Sequence, residues 1–254
     1  PVPSRKFYKY PMAEFPDKLK TLLENPDAVE HIDLSGLNLL YVPDQIGKCK
    51  NAVSANLENN KLTGLPKSFF TLTKLESLYL GGNPGMKKFG PGFSKLTNLK
   101  TLFIGRVNKY GPYTVTYATL DFDPSLKSLQ NLETLVIKGN IQNDDAPAFV
   151  YSLPNLKYLE LDAANLSYSF DNLKFEKLQC KDSLETLHIS TLGNIDNWNS
   201  SMKLFPNLAS ATLFTRQNVA PPTGILDLKK LTYFKFVTYV PTEGNRYMGE
   251  RLAY

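Results

Sequence analysis

Leu75–Asn83 reads LESLYLGGN, and these nine residues decide the fold. Leu78 and Leu80 alternate with Tyr79, the period of two that marks a short strand with one buried face. A single strand of this kind cannot bury its leucines alone, so neighbours of the same pattern are required. AVSANLENN from Ala52 and LETLVIKGN from Leu132 repeat the spacing of apolar residues and terminal asparagine. Such starts fall at Val29, Ala52, Leu75, Leu99, Leu132, Leu156, Leu184, Leu208 and Leu231, separated by 23, 23, 24, 33, 24, 28, 24 and 23 residues. A period in this range is the signature of a stacked repeat architecture.

One turn carries Leu75, Leu78, Leu80 and Asn83, and another Leu132, Leu135, Ile137 and Asn140. Leu62, Leu65 and Pro66 add an L-x-x-L-P continuation that Leu39, Val42 and Pro43 also show. On these residues the chain resembles the leucine-rich repeat family across residues 29–236. The resemblance implies an α/β solenoid, a horseshoe with a parallel sheet on its concave face and short helical or irregular segments on its convex face. It implies no single role, because the family serves many.

Stacking physics leads to the same architecture. Strands about 4.8 Å apart make a nine-stranded sheet roughly 40 Å long. Asn60, Asn83 and Asn140 stand where the chain leaves a strand, and there an amide can satisfy backbone groups that a buried bend leaves unpaired. Leu37, Val107, Ala164, Leu192 and Arg216 lie at or near that position in other repeats, so those turns must bend by other means.

A solenoid exposes its core at both ends. Residues 1–28 read as a Pro-rich linker and a helical cap, with Phe15, Leu19, Leu22 and Leu23 at helical spacing, Pro16 in the first turn and Asn25-Pro26 as the stop. Residues 29–236 form the solenoid, and residues 237–254 a tail or partial cap. That tail either folds over the last repeat or precedes further protein.

Of the 254 residues, 42% are hydrophobic and 21% charged, and no apolar run reaches the 18 residues that a membrane-spanning helix needs. The net charge of +5 comes from dispersed lysines without a basic block, which argues against a nucleic-acid groove. Cys49 and Cys180 are five repeat steps apart, roughly 24 Å, too far for a disulfide. With two histidines they make no metal site, and no cofactor is expected. The Pro-rich start, without a methionine, points to an extracytoplasmic bacterial protein, cell-surface or secreted, trimmed of its leader.

Within each repeat the non-leucine positions point onto the concave face and form columns across the sheet. The second position alternates in sign from Glu76 through Lys100, Glu133 and Lys157 to Glu185, a self-satisfying charge ladder. The fifth reads Asp33, Asn56, Tyr79, Phe103, Val136, Glu160, His188, Thr212 and Lys235. Tyr79, Phe103 and Val136 would expose contiguous apolar area, a marker for binding. The interval of 33 residues places an insertion at residues 105–124, beside that patch, carrying Tyr110, Tyr113 and Tyr117. Tyrosine suits a binding loop, offering large contact area at little entropic cost. Alternatively the insertion pairs as an extra strand and buries its own aromatics.

The candidate binding residues are therefore Asp33, Asn56, Tyr79, Phe103, Tyr110, Tyr113, Tyr117, Tyr158, Glu160 and His188. No catalytic constellation accompanies them: G-x-S-x-G, a phosphate-binding glycine loop and H-E-x-x-H are all missing from the sequence. The reading is a non-enzymatic binding module for a protein partner, monomeric or part of a larger chain. A carbohydrate-binding surface protein is the alternative, with aromatics stacking on sugars, and a structural spacer the third.

Overall fold

In a computed structural model, residues 15–105, 119–141, 147–162, 173–191, 200–215, 220–239 and 248–252 are described. Nine parallel strands form one sheet: β1 (His31–Asp33), β2 (Ser54–Asn56), β3 (Ser77–Tyr79), β5 (Thr101–Gly105), β7 (Thr134–Lys138), β9 (Tyr158–Asp162), β10 (Thr186–Thr191), β11 (Ser210–Thr215) and β12 (Tyr233–Tyr239). They stack in chain order, each beside the next repeat's strand. A tenth strand, β13 (Met248–Leu252), pairs antiparallel to β12 and covers its outer edge.

The leucines that open each repeat form the floor of the core. Leu75, Leu99, Leu132, Leu156, Leu184 and Leu208 are fully buried, as are the inward strand residues Leu78, Leu102, Leu135, Leu159 and Leu187. Opposite the sheet the chain returns through short 3-10 helices, among them Asp44–Lys48, Lys67–Thr71, Pro91–Lys95, Pro124–Ser128 and Ala148–Ser152. Proline precedes or opens each of these, where its missing N–H costs nothing. Their third residues, Ile46, Phe69, Phe93, Leu126 and Val150, are buried.

Helix α1 (Asp17–Glu24) lies at the amino-terminal end, with Leu19 and Phe15 buried and Leu22 and Leu23 packed against the core. Cys49 and Cys180 are both free and buried. Burial pushes both thiols up, Cys180 to about 11.

Asn60 and Asn83 serve the bends as their position implies. The Asn60 amide donates to the carbonyls of Leu34 and Leu57 at 2.8 and 3.0 Å and accepts from the N–H of Leu37 and of Leu39. Asn83 donates to Leu57 and Leu80 and accepts from Leu62. A second ladder, unread in the sequence, runs along the strand-entry edge. Asn98, Asn131, Asn155 and Asn207 each precede a repeat's first leucine, and each donates to a carbonyl of the preceding repeat, those of Thr73, Thr97, Gln130 and Asp182.

The insertion ends in a strand. β6 (Thr119–Phe122) lies between β4 (Lys88–Phe89) and β8 (Asn140–Ile141) in a small parallel sheet. Phe122 stacks on buried Phe89 at 5.0 Å and meets Phe149 at 5.5 Å. This part of the insertion is packing, as the extra-strand reading has it. The insertion leaves β5 at Gly105, whose φ of +108° and approach to β7 admit no side chain: a Cβ would stand 1.9 Å from the Lys138 carbonyl oxygen. In the lengthened sixth repeat Leu173, Phe175 and Leu178 point into the core.

Candidate functional site

Sheet register turns the columns read from the sequence into neighbours. Cα pairing links Asp33 to Asn56, Asn56 to Tyr79, Tyr79 to Phe103, Phe103 to Val136, Val136 to Glu160, and Glu160 to His188. His188 continues to Thr212 and Thr212 to Lys235. Asp33, Asn56, Tyr79, Phe103, Glu160 and His188 thus share one row of one face, and Tyr158 stands two residues before Glu160 on the same side. Tyr110, Tyr113 and Tyr117 lie outside the described residues.

The row is not uniform along its length. At the amino-terminal end it is open and polar. Lys18 of α1 reaches Asp33 at 2.6 Å, and Ser35 Oγ donates to the same carboxylate. These contacts, the lysine's first, hold the Asp33 carboxyl below the usual range. His31 Nδ1 meets Ser54 Oγ at 2.8 Å. Asn56 Oδ1 accepts from the Glu58 N–H at 3.0 Å, and Tyr79 is half-buried.

At the centre the row closes. Val136 is 5% exposed, so it adds no apolar area to the surface, contrary to the sequence expectation. The reason is Lys138, two residues further along the same strand and face. Its ammonium sits 5.4 Å over the Phe103 ring on one side of Val136 and 2.9 Å from Glu160 Oε1 on the other. A cation that meets both flanking residues leaves little room for water above the valine. Glu160, expected as solvated surface, is 8% exposed and also accepts from the Tyr158 hydroxyl at 2.9 Å. Burial, with the Glu160 charge behind it, pushes the Tyr158 phenol well above the usual tyrosine range. Next in line, Ser190 Oγ donates to Asp162 Oδ1 at 2.9 Å.

Beside this row the charge ladder is in place. Lys100 pairs with Glu76 at 2.9 Å and Lys157 with Glu133 at 2.8 Å. The Lys157 hydrogen bond and charge hold Glu133 below the usual carboxylate range. Both pairs are about half exposed, so each contributes little to stability.

The sequence reading missed Glu58, Lys138 and Ser190, all in the seventh position of their repeats. Strand alternation puts that position on the same face as the fifth, so extending the columns by one step would have found them. The two histidines, on β1 and β10, stand six strands apart and cannot assist each other.

No family model and no curated protein matches the chain. Solved structures do. Internalin C2 from Listeria monocytogenes superposes with a TM-score of 0.63 at 19% identity, over 87% of this chain and 91% of that one. The leucine-rich repeat domain of the type III effector XCV3220 (XopL) gives 0.60 at 20% identity, over 88% and 73%. The plant peptide hormone receptor RGFR1, solved in complex with RGF2, gives 0.56 at 21% identity over 84% of this chain, which spans only 33% of that receptor. With nine stacked parallel strands, buried repeat leucines and these structural neighbours, the chain has the leucine-rich repeat fold.

Proposed function

We propose that this chain is a non-catalytic binding module that recognises a protein partner on its concave sheet face. The observation that carries the reading is the continuous register from Asp33 to Lys235, which sets side chains of nine strands side by side on one rigid surface. Recognition works best from side chains held on such elements. Tyr79 and Phe103, adjacent and half-buried, supply aromatic anchors of the kind that dominate binding energies. A receptor of the same fold, RGFR1, holds a peptide hormone in its solved complex. The tyrosines of the insertion belong to the same proposed surface, and an extracytoplasmic setting is part of the proposal.

The test compares capture by the chain with capture by a Tyr79→Ala/Phe103→Ala variant, using extracts and a glycan array in parallel, after checking that both melt alike. The proposal expects a protein retained by the original and lost by the variant. Capture of a sugar instead would favour the lectin alternative, and equal retention by both forms would remove the concave aromatics from the site.

A further inference from the structure

We propose that Glu58 and Tyr79 form a subsite for a cation, the ammonium or guanidinium of a lysine or arginine presented by the bound partner. The inference rests on the concave-face reading above and assigns that partner's chemistry.

Leu57 points fully into the core, so Glu58 follows Asn56 on the concave face. Its side chain is half-buried, and among the described residues no hydrogen bond or ion pair reaches its carboxylate. Burial raises its pKa. On the next strand Tyr79 pairs with Asn56, and its carbonyl accepts from the Leu57 N–H, which makes Tyr79 and Glu58 diagonal neighbours across adjacent parallel strands. The Tyr79 ring and hydroxyl likewise have no partner among the described residues. A desolvated carboxylate beside an open aromatic face is a pair with one member missing.

The same molecule shows the completed arrangement three strands away. There Lys138 supplies the ammonium, over the Phe103 ring and paired to Glu160. Around Glu58 no lysine takes that place among the described residues. The first three repeats put Glu30, Asp33, Glu58 and Glu76 on this side of the sheet. Lys18 answers Asp33 and Lys100 answers Glu76. Glu30 and Glu58 remain without a counter-charge among the described residues. In a protein of net charge +5, this acidic end is complementary to a cationic segment.

The experiment is an NMR titration of the full isotope-labelled chain with N-acetyl-arginine amide. N-acetyl-citrulline amide, the neutral near-isostere, is the control. The expected result is saturable shifts of the amides of Asn56–Glu58 and Tyr79–Gly81. They should weaken at least five-fold with citrulline or in Glu58→Gln, fall in Tyr79→Ala, and survive in Tyr79→Phe. Equal response to citrulline, an unchanged response in Glu58→Gln, shifts elsewhere on the chain, or none at tens of millimolar would overturn the subsite. Captured protein partners separate the two readings. A partner lost by the aromatic variant but indifferent to Glu58→Gln leaves the binding face standing and the cation subsite refuted. Arginine shifts on a chain that captures no protein support the subsite and count against the broader reading.

Discussion

The first three repeats and those that follow solve the same problem differently. β1, β2 and β3 are three residues long, and the bends behind them are served by the buried amides of Asn60 and Asn83. From the fourth repeat the strands run five to seven residues, as in β5, β9 and β12. Val107, Ala164, Leu192 and Arg216 hold the asparagine's position in the sequence of four of these repeats, while the fifth repeat keeps Asn140. Backbone groups must be satisfied either way. In these longer strands sheet pairing continues further, as Ile104 with Ile137 and Gly105 with Lys138 show. The strand-entry edge does not share this difference, since Asn98, Asn131, Asn155 and Asn207 bridge repeats in both regions. Entry edge and core thus hold the spacing, while the exit side varies. The extra residues of the long repeats follow the strand exits at Gly105 and Asp162.

The sharpest way to break this picture is at the junction. Gly105→Ala puts a methyl where the Lys138 carbonyl stands, on backbone that an L-residue rarely adopts. Strain and overpacking together should cost about 3–5 kcal/mol. Urea unfolding measures it, and a loss below about 1 kcal/mol would mean that β5 and β7 can part at this point without consequence.

The two asparagine ladders come next. Asn83→Ala removes a buried amide that bonds Leu57, Leu80 and Leu62, leaving those backbone groups unpaired. About 2–4 kcal/mol is expected. Asn131→Ala removes one exposed bond to the Thr97 carbonyl and should cost about 0.5–1 kcal/mol. Equal losses from the two would erase the distinction between a buried bend and a solvated edge.

Lys138 separates structure from recognition at the centre of the face. Lys138→Met strips the largely buried Glu160 of its counter-charge and should destabilise by about 2–3 kcal/mol. Adding Glu160→Leu should recover most of that, because the uncompensated charge leaves with it. If the double variant stays as unstable as the single one, the pair is not what closes the surface over Val136.

These results bear on what the sequence could reveal. The columns were legible because a strand has period two and the repeats keep their spacing, so Asp33, Tyr79 and Glu160 fall in one row by counting. The burial of Val136 was not, because it depends on a lysine outside the three-residue strand that the motif suggests. The entry ladder was visible as an asparagine before the leucine in four repeats, yet a register begun at the leucine discards it. The antiparallel β13 carries no repeat signal, and its pairing follows from the edge that β12 leaves.

Two carboxylates at the amino-terminal end offer the finest test, because their pH effects have opposite signs. The Lys18 hydrogen bond lowers the pKa of Asp33 in the folded chain. Its contribution is therefore present above the unfolded value, about 3.9, and lost as pH falls through the lower folded one. Burial raises the pKa of Glu58. The ionised form is disfavoured in the fold, so stability is reduced at neutral pH and recovered as pH falls through the raised value. Asp33 is exposed and Glu58 half-buried at the surface, and solvent screening limits each effect to roughly a few tenths of a kcal/mol. Lys18→Met should cost that much near pH 6 and nothing below about pH 3. Glu58→Gln should gain a similar amount near pH 7, with the gain fading below about pH 4. Paired melting curves across that range read both signs. A Glu58→Gln variant that is less stable at neutral pH would show that the carboxylate already has a favourable partner within the chain, and the cation subsite would lose its foundation.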